Sequence, residues 1–234
     1  MDFVFAPQPQ ASIAVSNSTS RIPVRRIFCV GRNYAAHARE MGMNDRDPPF
    51  FFTKPADAVV DAGSTIPYPP ETADLSHEVE LVAIIGTGGR NIPVQTALDH
   101  VWGYAIGNDF TRRDLQARLR DASRPWDWGK AFDHSAMVGP AWPVAEVGHP
   151  QRGFIRLSVN GALRQDGNLD EMIWNVPEVI SIISRSMALL PGDLIMSGTP
   201  AGIGPIQSGD VLVHSIEGLG EVTVTIGSPA PGNA

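Results

Sequence analysis

The sequence predicts an α+β fold in which strands dominate and only a few short helices intervene. Three observations carry that reading. The segment HEVELVAIIG (77–86) is a near-continuous apolar run, as in a strand covered on both faces. FIRLSVNGALRQDG (154–167) alternates apolar with polar residues around Asn160-Gly161, the dipeptide best suited to a two-residue hairpin turn. Strands and helices nowhere alternate regularly, which argues against a doubly wound parallel sheet.

Taken in order, residues 1–24 read as an N-terminal extension of short strands separated by Pro, Ser and Asn, and 25–227 as one domain. RRIFCV (25–30) is a strand halted by Gly31. NYAAHAREMG (33–42) is expected to be helical, with Asn33 as N-cap and Gly42 as stop. FFFTKPADAVV (50–60) is extended and broken by Pro55. After HEVELVAIIG, a short helix (94–101) follows Pro93, then a strand VWGYAIGNDFT (101–111) and a helix RRDLQARLR (112–120). Asp109 therefore falls near a strand end. Past the hairpin, apolar residues recurring every three or four predict an amphipathic helix over about 177–189. DLIMSG, DVLVHSIEG and GEVTVTI are strands joined by glycine turns, and residues 228–234 form a flexible tail.

Composition narrows the function classes. A formal net charge of −7 over 234 residues argues against a nucleic-acid or anionic-membrane binder, so an anionic ligand must meet locally placed cations. The single cysteine, Cys29, excludes an intramolecular disulfide and a multi-thiolate metal site. The N-terminus has no signal-peptide pattern and no segment has the apolar length of a membrane helix, so a cytoplasmic protein is expected.

Two carboxylates, Glu78 and Glu80, stand one residue apart and so share a strand face. An isolated pair of this kind usually marks a solvated edge. Here LVAIIG continues the strand into a core, and two like charges near a core call for a countercharge. Oxygen donors without thiolates suit Mg²⁺, Mn²⁺ or Ca²⁺. Asp109 is the best-placed third ligand, while Asp61, Asp74 and Asp114 are compatible with the spacing. His37 and Glu40 lie three apart on the first expected helix; the carboxylate can fix the imidazole tautomer so that the ring accepts a proton from water, although such pairs are common on helix surfaces. The cations Arg32, Lys54, Arg112, Arg113 and Lys130 flank turns, where they could converge on carboxylates. SGTPAGIG (197–204) lacks the Gly-Lys-Ser/Thr of a phosphate loop and reads as a pocket turn offering backbone N–H groups and the Thr199 hydroxyl. No Gly-x-Ser-x-Gly occurs and Cys29 lies in an apolar strand, so a serine or cysteine nucleophile has no support.

Seven segments in order, CVGRNYAAHAREMG, FFFTKP, SHEVELVAIIG, GYAIGNDFTRRDLQ, PWDWGKAFD, VNGALRQDG and MSGTPAGIG, resemble the fumarylacetoacetate hydrolase family. The resemblance runs from about Arg25 to Ile226. It implies a mixed β-roll, a homodimer, and Mg²⁺ or Mn²⁺ held by Glu78, Glu80 and Asp109. It further implies His37 and Glu40 as a water-activating dyad and Lys130 as a charge stabiliser, with Arg32, Lys54, Arg113, Gln116 and Thr199 lining the pocket. The compact length and DPPFFFTKPADAVV look most like the bacterial branch that hydrolyses fumarylpyruvate, a dicarboxylic 2,4-dioxo acid, to fumarate and pyruvate in gentisate-type aromatic degradation. Oxaloacetate decarboxylation and hydroxymuconate-type isomerisation are alternatives within the family. A non-catalytic, metal-stabilised binding protein is the alternative of another class.

Overall fold

Apolar runs that cannot be left in water build the centre of the molecule, a mixed sheet buried on both sides. The computed structural model describes residues 2–34 and 47–230, so most of the helix expected over 33–42, with His37 and Glu40, lies outside the described residues. Strands β1 (Ser12–Ala14) and β2 (Arg21–Pro23) form an antiparallel pair of their own. This N-terminal hairpin is docked: Ile13 is buried, and the Ala14 carbonyl accepts from the Ala141 N–H at 2.8 Å.

The main sheet is built from β3 (Arg26–Val30), β4 (Phe51–Lys54), β5 (Val59–Asp61), β8 (Val79–Ile85), β9 (Val101–Asp109), β11 (Ala136–Val138) and β15 (Asp193–Met196). Its order is β4-β3-β15-β8-β9-β11-β5, with β12 (Trp142–Pro143) paired to β9. The β15–β3 and β11–β5 pairs are parallel and the others antiparallel. A five-stranded sheet, β14-β13-β17-β18-β6, combines β6 (Thr65–Pro67), β13 (Phe154–Val159), β14 (Ala162–Asn168), β17 (Val211–Ile216) and β18 (Gly220–Gly227). A small sheet joins β7 (Leu75–His77), β10 (Thr111–Arg112) and β16 (Gly204–Ile206). The β-rich fold with few short helices is the class expected from the sequence.

Alternation along β8 divides two cores. Val79, Leu81, Ala83 and Ile85 join the larger cluster, while Val82 and Ile84 join a second cluster with Ile13, Cys29 and Met196. Glu80 lies in register with Val82 and Ile84 on that second face. The 154–167 hairpin turns at Asn160 and Gly161, both at positive φ (51° and 79°), with an unforeseen register shift between Leu157 and Ser158. The helix Val176–Ser186 starts in a reciprocal capping box between Asn175 and Glu178. Residues 94–100 form 3-10 turns in place of the expected α-helix; so short a run gains little from α-helical propagation. No described helix is long and apolar enough to cross a membrane.

One buried ion cluster ties the start of the body to its centre. Asp193, wholly buried, accepts from Arg25 Nη1 at 3.0 Å, Arg26 Nη2 at 2.8 Å and the Leu190 N–H at 2.9 Å. Asp193→Ala should therefore lower unfolding free energy by about 3 kcal/mol, near the lower end for breaking a buried pair because both arginines keep solvent access. Urea denaturation checks this, with Asp193→Asn expected to lose less.

Candidate active site

The junction of β7 with β8 and the end of β9 lie side by side. Val79 pairs with Asn108 and Glu80 with Gly107, and the Asp109 N–H donates to the Glu78 carbonyl at 2.9 Å. This register brings the carboxylates of Glu78, Glu80 and Asp109 together: one oxygen from each lies within 4.8 Å of the other two, all three residues being buried. The other aspartates open on spacing are engaged elsewhere. Asp61 pairs with Arg21, Asp74 accepts from Ser76 Oγ, and Asp114 accepts from Thr72 Oγ1.

Three cations surround the cluster. Lys130 Nζ lies 2.8 Å from both Glu78 Oε2 and Asp109 Oδ2. Lys54 Nζ lies 2.8 Å from Asp109 Oδ1, and the Arg113 guanidinium holds Glu78 Oε1. Burial opposes ionisation of Glu78, but Lys130 and Arg113 outweigh it and hold its carboxyl down at about 2. Burial likewise opposes the charge of Lys130, and Asp109 and Glu78 reverse that and raise its pKa. Glu80 is different. Among the described residues it has no ion pair, and Oε2 accepts only the Gly198 N–H, at 2.7 Å. Burial, then repulsion from Asp109 and Glu78, push its carboxyl well above the usual range.

These features fit a hard divalent ion. Among the described residues Glu80 is a buried carboxylate whose charge lacks compensation, and Asp109 Oδ1, although beside Lys54, takes no well-aligned hydrogen bond. A cation among the three oxygens would answer both. Glu78, Glu80 and Asp109 can hold a divalent metal.

A polar network that sequence reasoning missed fixes the backbone beneath the carboxylates. Asn108 Oδ1 accepts from the Glu78 N–H at 2.9 Å, and its Nδ2 donates to His214 Nε2 at 2.7 Å. Gln165 Oε1 accepts from the Val79 N–H at 3.1 Å, while its Nε2 donates to Thr199 Oγ1 at 2.8 Å. Thr199 in turn donates to the Val79 carbonyl at 2.8 Å. Gln165 comes from the hairpin of the second sheet, and nothing in local spacing marks it. Asn108 stands in GNDFT beside Asp109, the one visible signal.

Above this floor a cleft opens, lined by Glu78, Glu80, Lys130, Arg113, Gln116 and Thr199 and, further out, by Arg32, Arg120 and Trp126. The sequence-predicted pocket residues Arg32, Arg113, Gln116 and Thr199 thus meet at one cavity. Lys54, expected in its wall, is buried behind Asp109 with Nζ directed at the Lys130 and Phe110 carbonyls as well. Arg112 lies over the Phe132 ring, outside the cleft lining. His37 and Glu40 are outside the described residues.

The family model for fumarylacetoacetate (FAA) hydrolase, C-terminal, matches residues 26–227. The chain belongs to the fumarylacetoacetate hydrolase family. A crystal structure of fumarylpyruvate hydrolase from Pseudomonas aeruginosa in complex with Mn²⁺ and pyruvate is 50% identical, with a TM-score of 0.94 over 97% of this chain and 100% of that one. The fumarylpyruvate hydrolase of a Ralstonia species is 42% identical over 76% of this chain and 92% of its own. The mitochondrial oxaloacetate tautomerase of Arabidopsis thaliana is 41% identical over 84% of this chain and 88% of its own. Family membership accounts for the order of the seven motifs, and these three relatives differ in the activity their names carry.

Two outcomes follow from the electrostatics. Glu80→Ala should weaken Mn²⁺ binding by at least about 100-fold in calorimetric titration, more than changes outside the ligand shell typically cause. Without metal it should unfold no earlier than the parent protein, because it removes a repelled charge. The second concerns His214, whose pKa burial pushes down to about 3 from 6.5, with His77 adding to the effect and a backbone hydrogen bond to Val222 opposing it. The unfolded chain binds this proton and the folded one does not, so the stability contribution is intact above pH 6.5 and falls as pH drops toward 3. Chemical denaturation across that window should show a shallower slope for His214→Gln than for the parent.

Proposed function

We propose that the protein is a metal-dependent hydrolase that cleaves the C3–C4 bond of a 2,4-dioxo acid, with fumarylpyruvate as substrate and fumarate and pyruvate as products. The observation that carries this reading is the buried Glu78–Glu80–Asp109 cluster opening on a cationic cleft, in a chain 50% identical to a fumarylpyruvate hydrolase crystallised with Mn²⁺ and pyruvate.

The inner site holds three carboxylates and, in Lys54, Lys130 and Arg113, three cations. A bound Mg²⁺ or Mn²⁺ supplies Lewis-acid stabilisation of negative charge on the pyruvyl oxygens of the substrate. Lys130 keeps its proton through its two carboxylate contacts and acts as a fixed positive charge at the cleft floor. Arg113 and Gln116, joined by a 2.7 Å hydrogen bond, hold one wall in place. His37, oriented by Glu40, is assigned as the base because the resemblance to the family implies that dyad. Water gives one proton to His37 while its oxygen bonds to C4. The C3–C4 electron pair then leaves with C3 as pyruvate enolate, and a proton returned to C3 completes pyruvate, C4 having become a carboxylate of fumarate.

Tautomerisation of oxaloacetate is the second reading, favoured by the 41% identity to the Arabidopsis tautomerase. It needs only enolisation beside the metal, with no activated water. Assay of the Mn²⁺-loaded protein on fumarylpyruvate, acetylpyruvate and oxaloacetate separates the two. Under the hydrolase reading the dioxo acids lose their enol absorbance and yield pyruvate, and chelation abolishes this. His37→Ala and Glu40→Gln should lower kcat about 10²- to 10⁴-fold while Mn²⁺ still binds. Oxaloacetate turnover without cleavage of either dioxo acid would select the tautomerase reading, and full activity after exhaustive chelation would dismiss both.

A further inference from the structure

Arg32 and Arg120 face the same cleft from different parts of the chain, one just past β3 and the other near the end of the helix Arg113–Asp121. Neither is committed to the metal carboxylates. Arg32 rests against the Phe50 ring and has no ion pair among the described residues. Arg120 pairs at 2.9 Å with Asp121, whose side chain is exposed and lies outside the cleft lining. Among the described residues the only acidic ones that line the cavity are Glu78 and Glu80, both at its floor. The outer cleft is therefore positively charged in a protein of net charge −7. The two guanidinium groups also work against each other: burial first, and then repulsion from Arg120, lower the pKa of Arg32. Two arginines held toward one cavity without a shared anion form a site that an anion would complete.

The inner cations cannot serve an outer anion. Lys54 is buried on Asp109, Lys130 bridges Glu78 and Asp109, and Arg113 holds Glu78. We infer that Arg32 and Arg120 form a clamp for a second carboxylate at the far end of the substrate, making the enzyme selective for dicarboxylic over monocarboxylic 2,4-dioxo acids. The inference rests on the hydrolase reading and adds to it a recognition device built from two residues, one of which, Arg120, shares a helix face with Arg113 and Gln116.

The test compares kcat/KM for fumarylpyruvate, with two carboxylates, and acetylpyruvate, with one, in Arg32→Gln, Arg120→Gln and the double variant. Each single change should reduce the fumarylpyruvate-to-acetylpyruvate ratio roughly 10- to 100-fold, the scale of a lost charge-assisted hydrogen bond. Arg120→Lys should recover part of the ratio, which a merely structural defect would not do. Both side chains have solvent access, and thermal unfolding verifies that the variants fold. Equal losses on the two acids, or an unchanged ratio in the double variant, would overturn the clamp. Should the parent protein cleave neither acid, the hydrolase reading fails by itself. The clamp is then decided by calorimetric titration of both acids onto the Mn²⁺-loaded protein: a binding preference for fumarylpyruvate that falls in both variants supports it, and no preference, or one the variants retain, refutes it.

Discussion

Repulsion among three buried carboxylates is the constraint around which the molecule is arranged. With oxygens within 4.8 Å, each like-charged pair costs about 3 to 4 kcal/mol at an effective dielectric near 20. Such a cluster persists only if compensation is delivered to it, and it comes from well-separated segments: Lys54 on β4, Lys130 at the end of a single helical turn, and Arg113 at the start of a helix. The compensation is uneven. Glu78 and Asp109 are each held by two cations, while Glu80 receives a backbone N–H and no ion pair among the described residues. The residual repulsion is thus concentrated on one ligand, where a metal ion can relieve it.

That arrangement also reconciles an acidic protein with an anionic substrate. With all three carboxylates ionised, as metal binding requires, the inner site balances three negative charges against three positive ones. A divalent ion leaves it two charges positive, so the metal adds its own attraction for anions to that of Arg32 and Arg120 nearer the opening. The metal thereby strengthens the field that draws in the substrate as well as supplying the chemistry that acts on it, and the net charge of the chain says little about its ligand.

The parts of this architecture that were legible in the sequence share a local signature. Glu78 and Glu80 stand out because strand alternation is strict, and Asn160-Gly161 because its turn requires positive φ at both residues. Asp109 could be proposed from its place at a strand end, but Asp61, Asp74 and Asp114 were separated from it only by the β8–β9 register. Lys54 shows the reverse limit: its segment was identified, yet which side of Asp109 it would occupy depends on how β4 packs against β3 and the helical turn at Asp127–Lys130. Gln165 and His214 were not legible at all: both reach the site through strand pairing over long sequence separations, and neither stands at a spacing that implies chemistry. Arg120 was within reach of helical periodicity, four residues past Gln116 and seven past Arg113 on one expected helix.

The same logic locates what distinguishes members of this family from one another. Enolising a 2-oxo acid requires a cation at the oxo and carboxylate oxygens and a group to move one proton; the carboxylate cluster with Lys130 supplies the electrostatic part of that for any substrate presenting a pyruvyl end. Hydrolysis adds two demands, an activated water on the far side of the scissile bond and a hold on the departing acyl group. Neither can be met from the floor of the cleft, because Lys130, Arg113 and Lys54 are already committed to the carboxylates. Both fall to residues nearer the opening, where Arg32 and Arg120 line the cleft. Relatives with hydrolase and tautomerase names are about equally similar to this chain, at 42% and 41% identity, so overall identity does not choose between the two chemistries and the residues around the opening of the cleft must.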